Sequence, residues 1–201
     1  MEGASSVGKD GQAESSQPEG ETMSTDPTGG FPPYSYVPGG PWPHPTRSPQ
    51  GHSYGRAETP MGTARERRSA QFLRGVALFD AGYYWEAHEA WEGLWHAEGR
   101  RGATADVLKG LIKLAAAGIK VREGREQGVR THARRAAESF TAARQQGGPH
   151  QLGLDLDDWI ERARTIAEHP PADPGPRDAP VTPVFAFRIG EPSRGLDAVE
   201  T

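Results

Sequence analysis

The chain has 201 residues, of which 34% are hydrophobic, with 26 Gly, 18 Pro, no Cys and a net charge of −4. Without Cys, a disulfide framework and a thiolate metal site are both excluded. The negative charge sits at the ends: residues 1–60 hold three Lys/Arg against seven Asp/Glu, residues 170–201 hold three against five, and the middle is left at +2. A near-neutral body with acidic ends argues against electrostatic nucleic-acid binding. No apolar run is long enough to span a bilayer, and residues 1–30 lack the basic and apolar regions of a signal peptide. Neither membrane nor nucleic acid is therefore expected as a partner, and the expected location is cytoplasmic.

Residues 1–60 are rich in Gly, Pro and Ser, as in GGFPPYSYVPGGPWPHP, and poor in aliphatic side chains. Such a composition buries too little apolar surface to offset chain entropy, so this segment is expected to be a disordered tail. The same reasoning applies to residues 170–201, which open with PPADPGPRDAP. A helical domain is expected between them, at residues 61–169. The methionines are Met1, Met23 and Met61, and any of the three can serve as the translation start.

Five helices are predicted in the middle. The first spans residues 64–80, with Phe72, Val76 and Phe79 on one side, and Gly82 breaks it. The second covers Tyr83 to Glu98. After a GRRG loop, Thr104 is the predicted N-cap of a third helix over 105–122, whose stripe is Leu108, Leu111, Ile112, Ala115 and Ile119. Gly124 precedes a fourth helix over 126–144, which QQGGP stops. A fifth spans 155–168 around Leu156, Trp159, Ile160 and Ile166. Strand character is confined to VFAFRI, residues 184–189, where Phe185, Phe187 and Ile189 alternate with other residues. The first and second helices form one hairpin, and the third and fourth another. Gly75, Leu78, Gly82, Tyr84, Ala87 and Trp91 follow the spacing of a tetratricopeptide unit, although no third copy exists. The expected fold is all-α, a compact bundle of about five helices built from two tetratricopeptide-like hairpins.

The second helix, YYWEAHEAWEGLW from Tyr83, concentrates the chemistry. On a 3.6-residue wheel, Tyr84, Ala87, Trp91 and Leu94 form the stripe that packs on the first helix. Trp85, His88, Glu92 and Trp95 form the adjacent stripe, so His88 and Glu92 are neighbours at i,i+4 framed by tryptophans. Glu86 and Glu89 fall further round, nearer to solvent. The candidate ligand-binding or polar cluster is therefore Glu86, His88, Glu89, Glu92 and Trp95. Two roles fit the His88–Glu92 pair: a packing pair that satisfies itself, or a site with His88 as proton acceptor and Glu89 as a second acid. HEAWE begins like the zincin motif but lacks its second His, so neither a metal nor a cofactor is expected. Lys109, Lys113 and Lys120 on the third helix, and Arg130, Arg134 and Arg135 on the fourth, read as solvated faces, although the lysines can also meet an anion or the glutamates.

The runs LFDAGYYWEAHEAWEGLW and LKGLIKLAAAGIKVREG resemble a bacterial family known as domain of unknown function 309, over roughly residues 72–140. The matching positions are Gly82, Glu86, His88, Glu89, Glu92, Trp95, Gly110, Leu111 and Ile112. The resemblance implies a small all-helical fold and brings no established reaction. The family pattern frequently has glutamines where this chain has Lys109 and Lys113. Two function classes follow from the residues themselves. One is a helical binding or interaction module for a protein or small-molecule partner. The alternative is a small enzyme using His88 with Glu89 and Glu92 for acid–base or metal-assisted chemistry, and its catalytic residues are not singled out by the sequence. The absence of a nucleophile motif, a phosphate-cradling Gly loop and a full metal set favours the binding module.

Overall fold

The computed structural model describes residues 30–55, 69–172 and 175–190. It is mostly helical: α1 (Ala70–Asp80), α2 (Tyr84–Ala97), α3 (Ala103–Arg122), α4 (Glu126–Gly147) and α5 (Leu156–Glu168). The main helix–helix packings are all between neighbours in the chain, α1 on α2 through to α4 on α5. This is the arrangement expected of consecutive helical hairpins with short connections. The expected tail residues 1–29 and 191–201, and the expected first turns of α1 at 64–68, lie outside the described residues.

Local signals explain the boundaries. Ser69 caps α1 by accepting from Phe72 N at 3.1 Å. At its end, Tyr83 N donates to Leu78 O and Gly82 N to Phe79 O, with Gly82 at φ +91°. That paired pattern satisfies two carbonyls the helix leaves open, and it needs a residue in the left-handed region. Gly82 is needed for space as well, because a Cβ there would lie 2.6 Å from Thr182 O. The same closure recurs at Gly124, where Arg125 N reaches Lys120 O.

Three details differ from the sequence expectation. α3 begins at Ala103, with Gly102 in the cap position and Thr104 already inside the helix. α4 runs three residues past its expected end, to Gly147. Strand pairing occurs at His150–Gln151 (β1) and Leu154–Asp155 (β2), a two-residue antiparallel hairpin turned by Leu152 and Gly153, both at positive φ. Residues 184–189, expected to be strand-like, form no ladder. Side chains take up their backbone donors instead: Val184 N donates to the Tyr84 hydroxyl at 2.8 Å, and Ile189 N to Asp80 at 2.7 Å. The alternation there reflects apolar docking, with Phe185 stacked on Phe79 and Phe187 edge-on to Trp159.

The core runs through all five helices and centres on α3, whose residues are buried on nearly every side. The stripe Tyr84, Ala87, Trp91 and Leu94 is buried as the wheel predicts. Trp91 has no exposed surface, lies against Gly75 of α1, and donates from Nε1 to Phe72 O at 3.4 Å. Trp85 and Trp95 are only partly buried against the core. Trp91→Ala is expected to cost about 3 to 5 kcal/mol, because it removes a large aromatic from a site that helix backbones prevent from collapsing. Chemical denaturation measures this directly, and an unchanged midpoint would contradict the packing described.

Candidate functional site

α2 carries the candidate residues and splits them between two flanks. On one flank, Glu86, Glu89 and Glu92 line a groove of about 1140 Å³. Its other walls are Gln71, Arg74 and Leu78 from α1, and Gly30 to Pro33, Pro45, Thr46, His52 and Ser53 from the segment before the bundle. His88 and Trp95 do not line this groove. His88 belongs to the other flank, where the charges of Glu92 and Lys113 act on it.

The wall formed by residues 30–55 is the largest departure from the reading of α2. These residues have neither helix nor strand, as their Gly and Pro content dictates, yet they lie along the helix. Tyr34 and Val37 are buried, and Tyr36 and His44 meet the Trp85 ring edge-on at 4.8 Å and 5.4 Å. Glu86, expected nearer to solvent, is 8% exposed because this segment covers it. Its carboxylate accepts from Ser35 Oγ at 3.1 Å and Tyr36 N at 3.0 Å, and it meets His52 Nε2 at 3.2 Å. A buried carboxylate with three partners is satisfied, and here the satisfaction holds a Pro-rich segment in place. Arg177 adds a second tie, donating to Pro38 O at 3.0 Å and Glu123 O at 2.8 Å.

Glu89, one turn along the groove, is exposed and has no hydrogen bond or ion pair among the described residues. Desolvation raises its pKa, and the neighbouring Glu92 and Glu86 carboxylates raise it further, against the pull of Arg47 and His52. His88 and Glu92 are 3.8 Å apart, with 27% and 45% of their side chains exposed. That separation is an ion-pair contact and too long for a hydrogen bond. Burial lowers the His88 pKa and outweighs the Glu92 carboxylate, which opposes it, while Lys113 assists. His88 Nδ1, Trp85 Nε1 and Trp95 Nε1 are buried without a hydrogen-bond partner, so this flank is not the self-satisfied pair that the packing reading requires.

The structure adds residues that sequence reasoning passed over. His132 faces the same flank as His88, and its pKa is pushed down to about 4, by burial first and then by Lys113, Lys120 and Arg135. Lys113, read as part of a solvated face, is half-buried, with its pKa lowered by burial and by Arg135 and Lys109. One signal for the covering segment was present in the sequence. Phe31, Tyr34, Tyr36, Trp42 and Tyr54 are far more aromatic side chains than a disordered stretch of that length carries. Among the described residues, no three His, Asp or Glu side chains gather in a way that could hold a metal ion, and no helix is long and apolar enough to cross a membrane.

Fold and groove together define a small all-helical domain whose chemistry is concentrated on one helix. Residues 72–132 match the model of the family described as Domain of unknown function (DUF309), in agreement with the resemblance carried by the second and third helices. The matched stretch contains all of α2 and α3 and ends at His132, and the covering segment 30–55 lies outside it. No curated protein matches the chain.

Two expectations follow from this geometry. Glu86→Ala should release the covering segment while leaving the bundle folded. Loss of about 2 kcal/mol of charge-assisted bonding would speed tryptic cleavage after Arg47 by roughly thirtyfold. Unchanged cleavage would mean that the segment is held by other contacts. The second concerns pH. With His132 held below its unfolded value, the unfolded chain takes up its proton first as pH falls. The stabilisation is thus fully present above about 6.5 and is lost progressively down to about 4. His132→Gln should flatten the pH dependence of stability in that window, measured by urea denaturation at intervals between pH 7 and 4.

Proposed function

We propose that this protein is a binding module whose α2 groove takes a basic segment of a partner protein, with a Lys or Arg side chain seated on Glu89 and Glu92. The observation that carries this reading is Glu89, an exposed carboxylate with no hydrogen bond or ion pair among the described residues, set in a groove beside two further carboxylates. Partial desolvation raises its pKa first and like-charge repulsion raises it further; a cation removes that repulsion, and in a partly desolvated groove the interaction is stronger than at an open surface. Glu89 and Glu92 are one helical turn apart on the same face, a spacing that one guanidinium or two neighbouring basic side chains can bridge. Phe31 and Trp85 add aromatic surface beside them, suited to the aliphatic stems and cationic heads of such residues. At about 1140 Å³ and open to solvent, the groove exceeds the usual small-molecule pocket and suits a length of polypeptide.

Catalysis by His88 with Glu89 and Glu92 is less well supported, because His88 and Glu89 serve opposite flanks of the helix. A single substrate would have to reach both sides of α2.

Titration calorimetry with a short peptide carrying two arginines tests the proposal. Binding to the full chain should weaken at least tenfold in Glu89→Gln and fall as pH drops through the raised Glu89 pKa, because binding requires the ionised form. Equal affinity in the wild type and Glu89→Gln would place the interaction elsewhere on the acidic surface.

A further inference from the structure

The flank of α2 opposite the groove carries a second, oppositely charged cluster. Three close approaches set the register of the helices there. The Tyr84 ring lies over Gly118, the Phe140 ring over Gly110, and the Lys120 side chain over Gly128, where an added Cβ would come within 2.6, 2.3 and 2.9 Å. Stepping along antiparallel helices from these points brings His88 of α2 level with Lys113 of α3, and Lys113 level with Arg135 of α4. His132 precedes Arg135 by three residues on the same helix face. The charge of Lys113 acts on both His88 and His132, and that of Arg135 on His132, so the three helices contribute to one outer seam.

The state of these side chains points to a ligand. The Nδ1 atoms of His88 and His132 are both buried without a hydrogen-bond partner. The side chains of Lys113 and Arg135 have no hydrogen bond or ion pair among the described residues, whereas the nearby Lys120 is paired with Glu123 at 2.8 Å. Buried polar atoms of a folded protein normally find partners, and unpaired cations normally stand apart. Here two orphaned imidazole nitrogens lie along the same seam as two unpaired cationic side chains, and His88, 27% exposed, reaches solvent through the rest of its ring.

We infer that the seam formed by His88, Lys113, His132 and Arg135 binds an oxyanion of the phosphate type. Arg135 offers a planar fork of donors, Lys113 a point charge, and each imidazole a positive charge when protonated. Glu92, which reaches His88 and acts on Lys113, is the carboxylate of this flank. It lies 3.8 Å from His88 Nε2, an ion-pair contact when the imidazole is protonated. Burial lowers the pKa values of Lys113 and His132 first, and the mutual repulsion that adds to it is what an anion would relieve. The site rests on residues other than the unpartnered carboxylate of the groove, so it stands whether or not the groove takes a basic segment.

Phosphate titration of the full-length chain, followed by the imidazole ¹⁵N signals, tests this against sodium chloride at matched ionic strength. Saturable shifts centred on His88 and His132, weakened at least fivefold in Arg135→Gln and in Lys113→Gln, are the expected result. Arg135 is exposed, so its variant keeps the fold and separates binding from stability. A parallel titration with glycerol phosphate identifies the source of the group: tighter binding than inorganic phosphate assigns the site to a phosphomonoester, and equal or weaker binding assigns it to the free anion. Shifts no larger than those in chloride, or shifts that persist unchanged in both variants, would overturn the inference.

Discussion

Close approach to a glycine on each side of α3 is the constraint on which the rest of this structure depends. Gly118 lets the Tyr84 ring lie directly on the helix backbone, and Gly110 does the same for Phe140. With Ala115, Ala116 and Ala117 between them, α3 is thin enough for α2 and α4 to approach it closely. Leu or Ile at these positions would bury more apolar surface, but would push the outer helices away by a side-chain width. The small residues give up that area for a fixed register, and the register decides which polar groups meet. His88, Lys113 and Arg135 are level with one another because Tyr84 and Phe140 have one place each to sit.

α2 then works as a partition between two electrostatic environments. Its buried stripe anchors it to the core through Trp91, and the two stripes beside it diverge in sign. Glu86 and Glu89 face the groove, and His88 faces the lysines and arginine of α3 and α4. A helix turns about 100° per residue, so the adjacent positions 88 and 89 cannot serve one site unless the ligand wraps the helix. The EAHE string is therefore divided between two flanks of the helix. Glu86 has a third task, because its burial beneath Ser35, Tyr36 and His52 converts a Pro-rich segment into a wall of the groove.

The helices were legible because each carries an apolar stripe at the 3.6-residue period, and the first four end on a glycine at positive φ. Trp91 and its stripe could be read to the residue for the same reason. The VFAFRI run misled because alternation reports which side chains are buried and is silent about where the backbone bonds go. The fate of Glu86 was beyond reach from α2 alone, since its partners lie 34 to 51 positions earlier in sequence. Composition led to the expectation of a disordered tail over residues 1–60, whereas residues 30–55 within it lack helix and strand yet pack along α2, because irregular backbone can pack when it carries aromatic side chains and meets a fixed acceptor. Arg135 read as part of a solvated face, and His132 carried no spacing signal, because the wheel of α4 cannot show what α2 brings across the seam.

Glu92 connects the two flanks. It lines the groove with Glu89, and it faces His88 from the seam side of the helix. Its negative charge favours a cation in the groove and opposes an anion on the seam. A basic side chain seated on Glu92 would cancel much of that field at His88. Across about 10 Å of partly solvated protein, such a change is worth roughly 1 kcal/mol. Occupation of the groove by a cation would then favour occupation of the seam by an anion, and by linkage the converse holds with the same magnitude. One carboxylate shared between two faces of a helix is enough for this coupling, and no movement of the backbone is needed.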